Sequence, residues 1–190
     1  MLLVFHKPYG VLCQFTPDQP GQRTLADFGF PKSVWPIGRL DMDSEGLLLL
    51  SDEKPLVDRL MNPASKAPKT YLAQVEGEPD EKALQTLAEG TLVIRGHRVL
   101  PAKAIRPDPQ PEFPPRDPPI RYRASIPTTW ISLTLTEGKN RQVRRMTAAV
   151  GFPTLRLIRT AIDRLELGDL EAGTWHEAAT DERRRLGLRV

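Results

Sequence analysis

The segment IGRLDMDSEG (Ile37–Gly46) places three carboxylates, Asp41, Asp43 and Glu45, between two glycines. Carboxylates in such a loop can serve as nucleophile, general base or general acid. By residue type alone the three are equivalent. Two carboxyl groups flanking a glycosidic bond would suit a glycosidase. In an extended chain, however, residues two apart point the same way. Asp41 and Asp43 would then approach a substrate from one side, which counts against that pairing. A second group of interest is Tyr71, in the alternating run KTYLAQVEG (Lys69–Gly77). A third is the set of basic runs KNRQVRR (Lys139–Arg145), LRLIR (Leu155–Arg159) and ERRRLGLR (Glu182–Arg189). Each run is either a solvated surface or a phosphate-binding one.

Other chemistries find little support. Cys13 is the only cysteine, so no intrachain disulfide forms, and its apolar setting VLCQF reads as a packed thiol. His6, His97 and His176 stand at no metal-ligand spacing, and no glycine-rich phosphate loop is present. No metal and no cofactor is expected.

The chain has 190 residues, an AVILMFWYC fraction of 39% and a net charge of +3. That composition fits a globular protein with a substantial core, and the mild basic excess weakly favours a polyanionic partner. The start, MLLVFHKPYG, turns polar too early for a signal peptide, and no apolar run approaches the roughly 20 residues of a membrane span. A cytoplasmic protein with no membrane partner is expected. Nothing demands an oligomer, so a monomer is expected too.

The elements that must position these residues follow from periodicity and punctuation. Leu2–Lys7 reads as a strand and Pro8–Gly10 as a turn. Residues 16–33 read as loop, with a helical turn at Thr24–Phe28. Ile37–Gly46 reads as an exposed loop, and the apolar run Gly46–Ser51 as a buried strand. Lys54–Pro63 suits a helix with Leu56, Leu60 and Met61 on one face, ended by Pro63. Lys69–Gly77 is a strand. Pro79–Gly90 is a helix striped by Ala83, Leu84, Leu87 and Ala88. Residues 101–128 hold nine prolines, which rules out a regular central strand or helix. Their Arg106, Arg116, Arg121, Arg123, Phe113 and Tyr122 could form an RNA-gripping arm or a plain connector. Trp130–Gly138 is a half-buried strand. Arg141–Gly151 is a helix with Val143, Met146, Thr147 and Val150 inside and Arg141, Arg144 and Arg145 opposite. Leu155–Ile162 and Gly173–Ala178 read as strands, and Asp181–Leu186 as a basic helical tail. Helices scattered among antiparallel-looking strands give an α+β fold with a mixed sheet.

Four segments, in order, resemble the RNA pseudouridine synthases, in particular the branch that modifies ribosomal RNA. GRLDMDSEGLLLLS (Gly38–Ser51) resembles the family signature, and KTYLAQVEG its Lys-x-Tyr motif. LTEGKNRQVRRMTAAVGFPTLRLIR (Leu135–Arg159) resembles the Gly-x-x-Arg-Gln-Val-Arg-Arg-Met motif and the strand after it. GTWHE (Gly173–Glu177) resembles the closing segment. The family's first strand is matched by VFHKPYGVL (Val4–Leu12), close to residue 1. That implies one catalytic domain over residues 1–190, without the N-terminal S4 RNA-binding domain of many members. This start, with CQFT (Cys13–Thr16) and IRYRASIPTTW (Ile120–Trp130), is most similar to a large-subunit group and implies a uridine of 23S ribosomal RNA as target. One departure is Asp163, where the family usually has glycine.

The resemblance implies a mixed, largely antiparallel sheet in two lobes around a central cleft, and an RNA isomerase acting on a flipped-out base. It makes Asp41 the catalytic carboxylate, either adding covalently or taking a proton from the sugar to give a glycal. Either role needs the carboxylate ionised, which an adjoining cation favours, and Arg144 is the implied ion-pair partner. Tyr71 is implied to lie against the uracil as a candidate base for C5, with Leu157 over the other face. Arg39 is implied to fill the space the base leaves and to hold phosphate. Arg141, Arg145 and Arg159 are the remaining RNA-contact candidates. A noncatalytic RNA-binding protein on the same fold is the rival reading.

Overall fold

A computed structural model describes the whole chain except residues 63–66, 122, 124, 189 and 190. Pro63 as helix stop, Tyr122 as an arm aromatic and Arg189 of the last basic run lie outside the described residues. The chain divides into two compact units: Met1–Ala67 with Arg159–Val190, and Pro68–Ile158.

The first unit opens with β1 (Leu2–Lys7), β2 (Val11–Leu12) and β3 (Arg23–Thr24). A 3-10 turn follows at Leu25–Phe28, capped by Thr24 as the threonine and Asp27 there suggest. Next come β4 (Trp35–Ile37), β5 (Glu45–Ser51) and α1 (Lys54–Met61). β1 pairs antiparallel with β5 from Leu2–Ser51 to Lys7–Gly46, and β4 pairs antiparallel with the far end of β5. Leu2 to Phe5 and Leu47 to Leu50 are at most 1% exposed. The uninterrupted apolar runs therefore belong to strands covered on both faces, as expected for GLLLLS. On α1 only Leu56 is buried, and Met61 is 51% exposed. Met61 stands five positions on, about 140° round the helix, so it leaves the expected face.

The second unit holds β6 (Lys69–Glu76), α2 (Glu81–Ala88), β7 (Val93–Ile94), β8 (His97–Arg98), β9 (Lys103–Ile105), β10 (Thr128–Leu135) and α3 (Gln142–Ala149). β6 and β10 pair antiparallel over their full length, and β9 adds to β10. β9 belongs to the proline-bearing stretch, where only an irregular path was expected. It lies ahead of the dense prolines and on the outside of β10, where missing donors cost least. A core of Ala73, Val75, Leu84, Leu87, Ile131, Leu133, Val143, Met146 and Leu157 fills this unit.

β11 (Thr154–Ile162) contains the boundary between the units; β12 (Leu165–Glu166), β13 (Trp175–Glu177) and α4 (Thr180–Arg185) complete the first. β12 folds back on β11, and Asp163 at this turn has φ 53°. Aspartate tolerates that left-handed conformation better than most residues, which is how the chain does without glycine there. β13 pairs antiparallel with β1. β2 and β3 pair in parallel. The fold is α+β with mixed, largely antiparallel strand pairing.

Candidate active site

The carboxylate loop belongs to the first unit. β4 delivers Ile37 into the core, Gly38 (φ 76°) turns the chain, and Leu40 is 6% exposed. Asp41 and Asp43 are half-buried, Arg39 and Met42 exposed, Ser44 and Glu45 buried. The loop was expected to be exposed. Its backbone is instead satisfied from three sides, which draws it onto the unit. Ser44 N–H donates to Asp41 C=O (3.0 Å), and Gly10 N–H donates to Met42 C=O (2.8 Å). Lys7 Nζ donates to the carbonyls of Ser44 (2.8 Å), Pro8 (3.0 Å) and Met42 (3.5 Å).

Lys7 has no exposed surface. Burial lowers its pKa to about 8, although negative charge at Cys13, Glu45, Asp43 and Asp41 offsets part of that. Its role was missed from sequence. The available signal was a lone cation closing an otherwise apolar strand beside a proline.

Across β5 from Lys7, Gly46 has φ 104°, and a Cβ there would sit 2.3 Å from the Arg159 carbonyl oxygen. Only glycine fits. Arg159 is 3% exposed and its Nε donates to the Leu47 carbonyl (2.7 Å). Its Nη2 is buried with no hydrogen-bond partner among the described residues. Arg159, expected as an RNA contact, lies buried in the first unit with its guanidinium on β5. Arg156, in the same run, is 9% exposed.

Tyr71, in the second unit, is half-buried on β6, opposite Leu133 of β10. It packs against the core cluster that includes Leu157. The structure thus brings Tyr71 and Leu157 into one cluster, with Leu157 also serving as core.

Around α3 the expected outer face of three arginines is not found. Arg141 precedes the helix in a left-handed conformation (φ 53°) and is exposed. Arg144 and Arg145 are half-buried, and the outward positions are Ala148 and Ala149. Arg144 lies next to buried Val143, about 100° round the helix, and reaches β11, where Nη1 donates to the Thr154 carbonyl (3.2 Å). Arg145 donates to Asn140 Oδ1. Gln142, also missed from sequence, is buried and ties the helix start to the preceding turn. Its Oε1 accepts from Lys139 N–H (3.0 Å), and its Nε2 donates to Glu137 Oε1 (2.6 Å). Burial pushes the Glu137 carboxyl up, but the Leu100 N–H, His97 and Gln142 together hold it below its ordinary value.

The proline-bearing arm is fastened to its own unit. Phe113 packs on Trp130 (5.1 Å between centroids), and the Arg156 guanidinium lies over Phe113 (5.7 Å). Gln110 accepts from Trp130 N–H (2.6 Å) and donates to its carbonyl (3.2 Å). Arg116 is spent on the carbonyls of Pro118 and Pro119, and Arg123 pairs with Glu76. Arg106 and Arg121 are exposed. In the last basic run, Arg183 chelates Glu53 (2.8 and 2.9 Å).

A sequence profile described as RNA pseudouridylate synthase matches residues 1–149. The chain belongs to the RNA pseudouridylate synthase family. It is 53% identical over 176 residues, 92% of the chain and 94% of the relative, to "Ribosomal large subunit pseudouridine synthase E" of Xanthomonas campestris pv. campestris. It is 35% identical over 185 residues, 96% of the chain and 70% of the relative, to "Ribosomal large subunit pseudouridine synthase B" of Bacillus subtilis. A solved structure titled "Crystal structure of pseudouridylate synthase" superposes with a TM-score of 0.77 at 28% identity, covering 97% of this chain and 73% of that one. The chain is an RNA pseudouridine synthase, and the noncatalytic rival reading falls away. Asp41 and Arg39 of this synthase lie in one unit; Tyr71, Arg141, Arg144, Arg145 and Leu157 lie in the other. Among the described residues no helix is long and apolar enough to cross a membrane.

Proposed function

We propose that the chain isomerises one uridine of 23S ribosomal RNA, using Asp41 as the reacting carboxylate and residues 1–190 as the catalytic domain. The observation that carries this reading is the loop itself. Asp41, half-buried like Asp43, opens the turn in a segment whose backbone is fixed by Lys7, Gly10 and the Ser44 N–H that donates to the Asp41 carbonyl. A reacting group gains from a support that holds it without reorganisation. The names of the relatives support a large-subunit RNA as substrate.

The reaction breaks the C1′–N1 bond, turns the uracil and joins C5 to C1′. The C5 proton leaves to a base. These atoms are inaccessible within a helix, so the nucleotide is flipped out, at a cost of a few kcal/mol. Asp41 either adds to C1′ or removes a sugar proton to give a glycal. Tyr71 is the base for C5, with its ring on the uracil, and Leu157 covers the opposite face. Arg144 pairs with Asp41 and keeps it ionised. Arg39 fills the vacated stack and holds phosphate, and Arg141 and Arg145 hold phosphates further along. Arg159 is given the supporting role that its burial fits. The enzyme acts in the cytoplasm as a monomer.

The test is to incubate the chain with uridine-labelled 23S ribosomal RNA and separate the nucleosides. Pseudouridine at one position supports the proposal. Free uracil would make the chain a base-removing enzyme, and unchanged uridine would place its substrate elsewhere.

A further inference from the structure

Of the three tryptophans, Trp130 is 8% exposed and Trp175 is half-buried with its Nε1 donating to the Phe28 carbonyl. Trp35 is 66% exposed. It sits on β4, opposite Ser51 of β5, and the chain runs from it into the carboxylate loop. Asp41 stands six positions after Trp35, so their Cα atoms lie within about 20 Å however the loop runs. Phe15 meets the indole edge-on, with centroids 6.2 Å apart and planes at 83°. Such a contact fixes a ring while leaving a face uncovered.

An exposed indole offers a broad, flat surface on which an aromatic partner gains by burying area. The surroundings narrow the occupant. Lys32 and Arg39, before and after Trp35, are both exposed, whereas Asp41 and Asp43 are half-buried. Exposed cations three and four residues along the chain from an exposed aromatic ring suit an unpaired nucleotide, with its base on the ring and its phosphates within reach of the cations.

We propose that Trp35 is a stacking platform for an unpaired base of the substrate RNA, a few nucleotides at most from the reacting uridine. This rests on the reading of the chain as an enzyme of 23S ribosomal RNA. The platform adds affinity without adding charge, which separates it from the arginines.

The experiment uses the full chain and a protein-free 23S ribosomal RNA transcript, with affinity measured at several salt concentrations. Trp35→Ala should weaken binding about ten-fold, within the range for one base stacked on an aromatic ring. The slope of log affinity against log salt should stay as in wild type, because no phosphate contact is lost. Trp35→Phe should recover most of the affinity. Indole fluorescence that changes on RNA addition in wild type should change far less in Trp35→Phe. Wild-type affinity in Trp35→Ala would overturn the platform while leaving the substrate reading intact. A Trp35→Ala chain with unchanged RNA affinity but altered self-association would assign the patch to a second copy instead. Failure of the wild-type chain to bind the transcript would sink the substrate reading, and the platform with it.

Discussion

At the residue scale, the chemistry rests on groups whose surroundings differ more than their types. Asp41, Asp43 and Glu45 look equivalent in sequence, and only the surrounding motif singles out Asp41. The structure separates Glu45, which is 3% exposed, from the two half-buried aspartates. Tyr71→Phe keeps the ring against the core and removes the hydroxyl. It should bind RNA normally yet fail to complete pseudouridine in single-turnover assays, and a wild-type rate would demote Tyr71 to packing. Lys7 offers a test by pH. Its folded pKa, about 8, lies below the ordinary lysine value of 10.5, so the unfolded chain binds the extra proton between those values. Stability therefore rises with pH in that window. Relative to Lys7→Met, the wild-type unfolding free energy should gain about 2 kcal/mol between roughly pH 7.5 and 9.5, read from urea titrations. A flat difference would mean that Lys7 is not a buried cation. Lys7 and Arg159 were illegible for the same reason. A charge at the end of an apolar strand, or in an Arg-rich run, looks solvent-facing until the neighbouring strand is known.

At the element scale, α3 and β5 carry the account. β1, β5, β6 and β10 were legible because continuous or alternating apolar runs specify them. The two-residue strands β2, β3, β7 and β8 were not, because they are too short for any period. The α3 arginines were misplaced because β11 supplies a carbonyl that draws Arg144 inward. The proposed roles predict opposite behaviour for neighbours on this helix. Arg145→Gln should weaken RNA binding and flatten the salt dependence by about one unit of slope, somewhat less on single strands. Arg144→Gln should leave that slope alone and cut the single-turnover rate steeply, because Asp41 loses the cation that favours its charged form. If the two variants behave alike, Arg144 is only another RNA contact. On β5, Gly46→Ala must push its Cβ away from the Arg159 backbone at φ 104°. It should cost about 3 kcal/mol or more of unfolding free energy. A loss below about 1 kcal/mol would show that this strand crossing is loose.

At the scale of the whole molecule, the proposed chemistry is divided between two compact units, with Asp41 in one and Tyr71 and Arg144 in the other. The family was legible because four motifs in order span nearly the whole chain, whereas the fastening of the proline-bearing arm through Gln110 and Phe113 was not. Proline density excludes regular structure without saying where the irregular chain will lie. The isomerisation is redox-neutral, and the sequence holds no phosphate loop and no metal-ligand spacing. Turnover on a short hairpin substrate should therefore survive EDTA and dialysis, and loss restored only by a transition metal would contradict that. The most direct test of the central claim is Asp41→Asn, which keeps size and polarity and removes the charge. With uridine-labelled 23S ribosomal RNA, this variant should bind within a few fold of wild type and form no pseudouridine. Pseudouridine formed by Asp41→Asn at an appreciable rate would place the reacting group elsewhere.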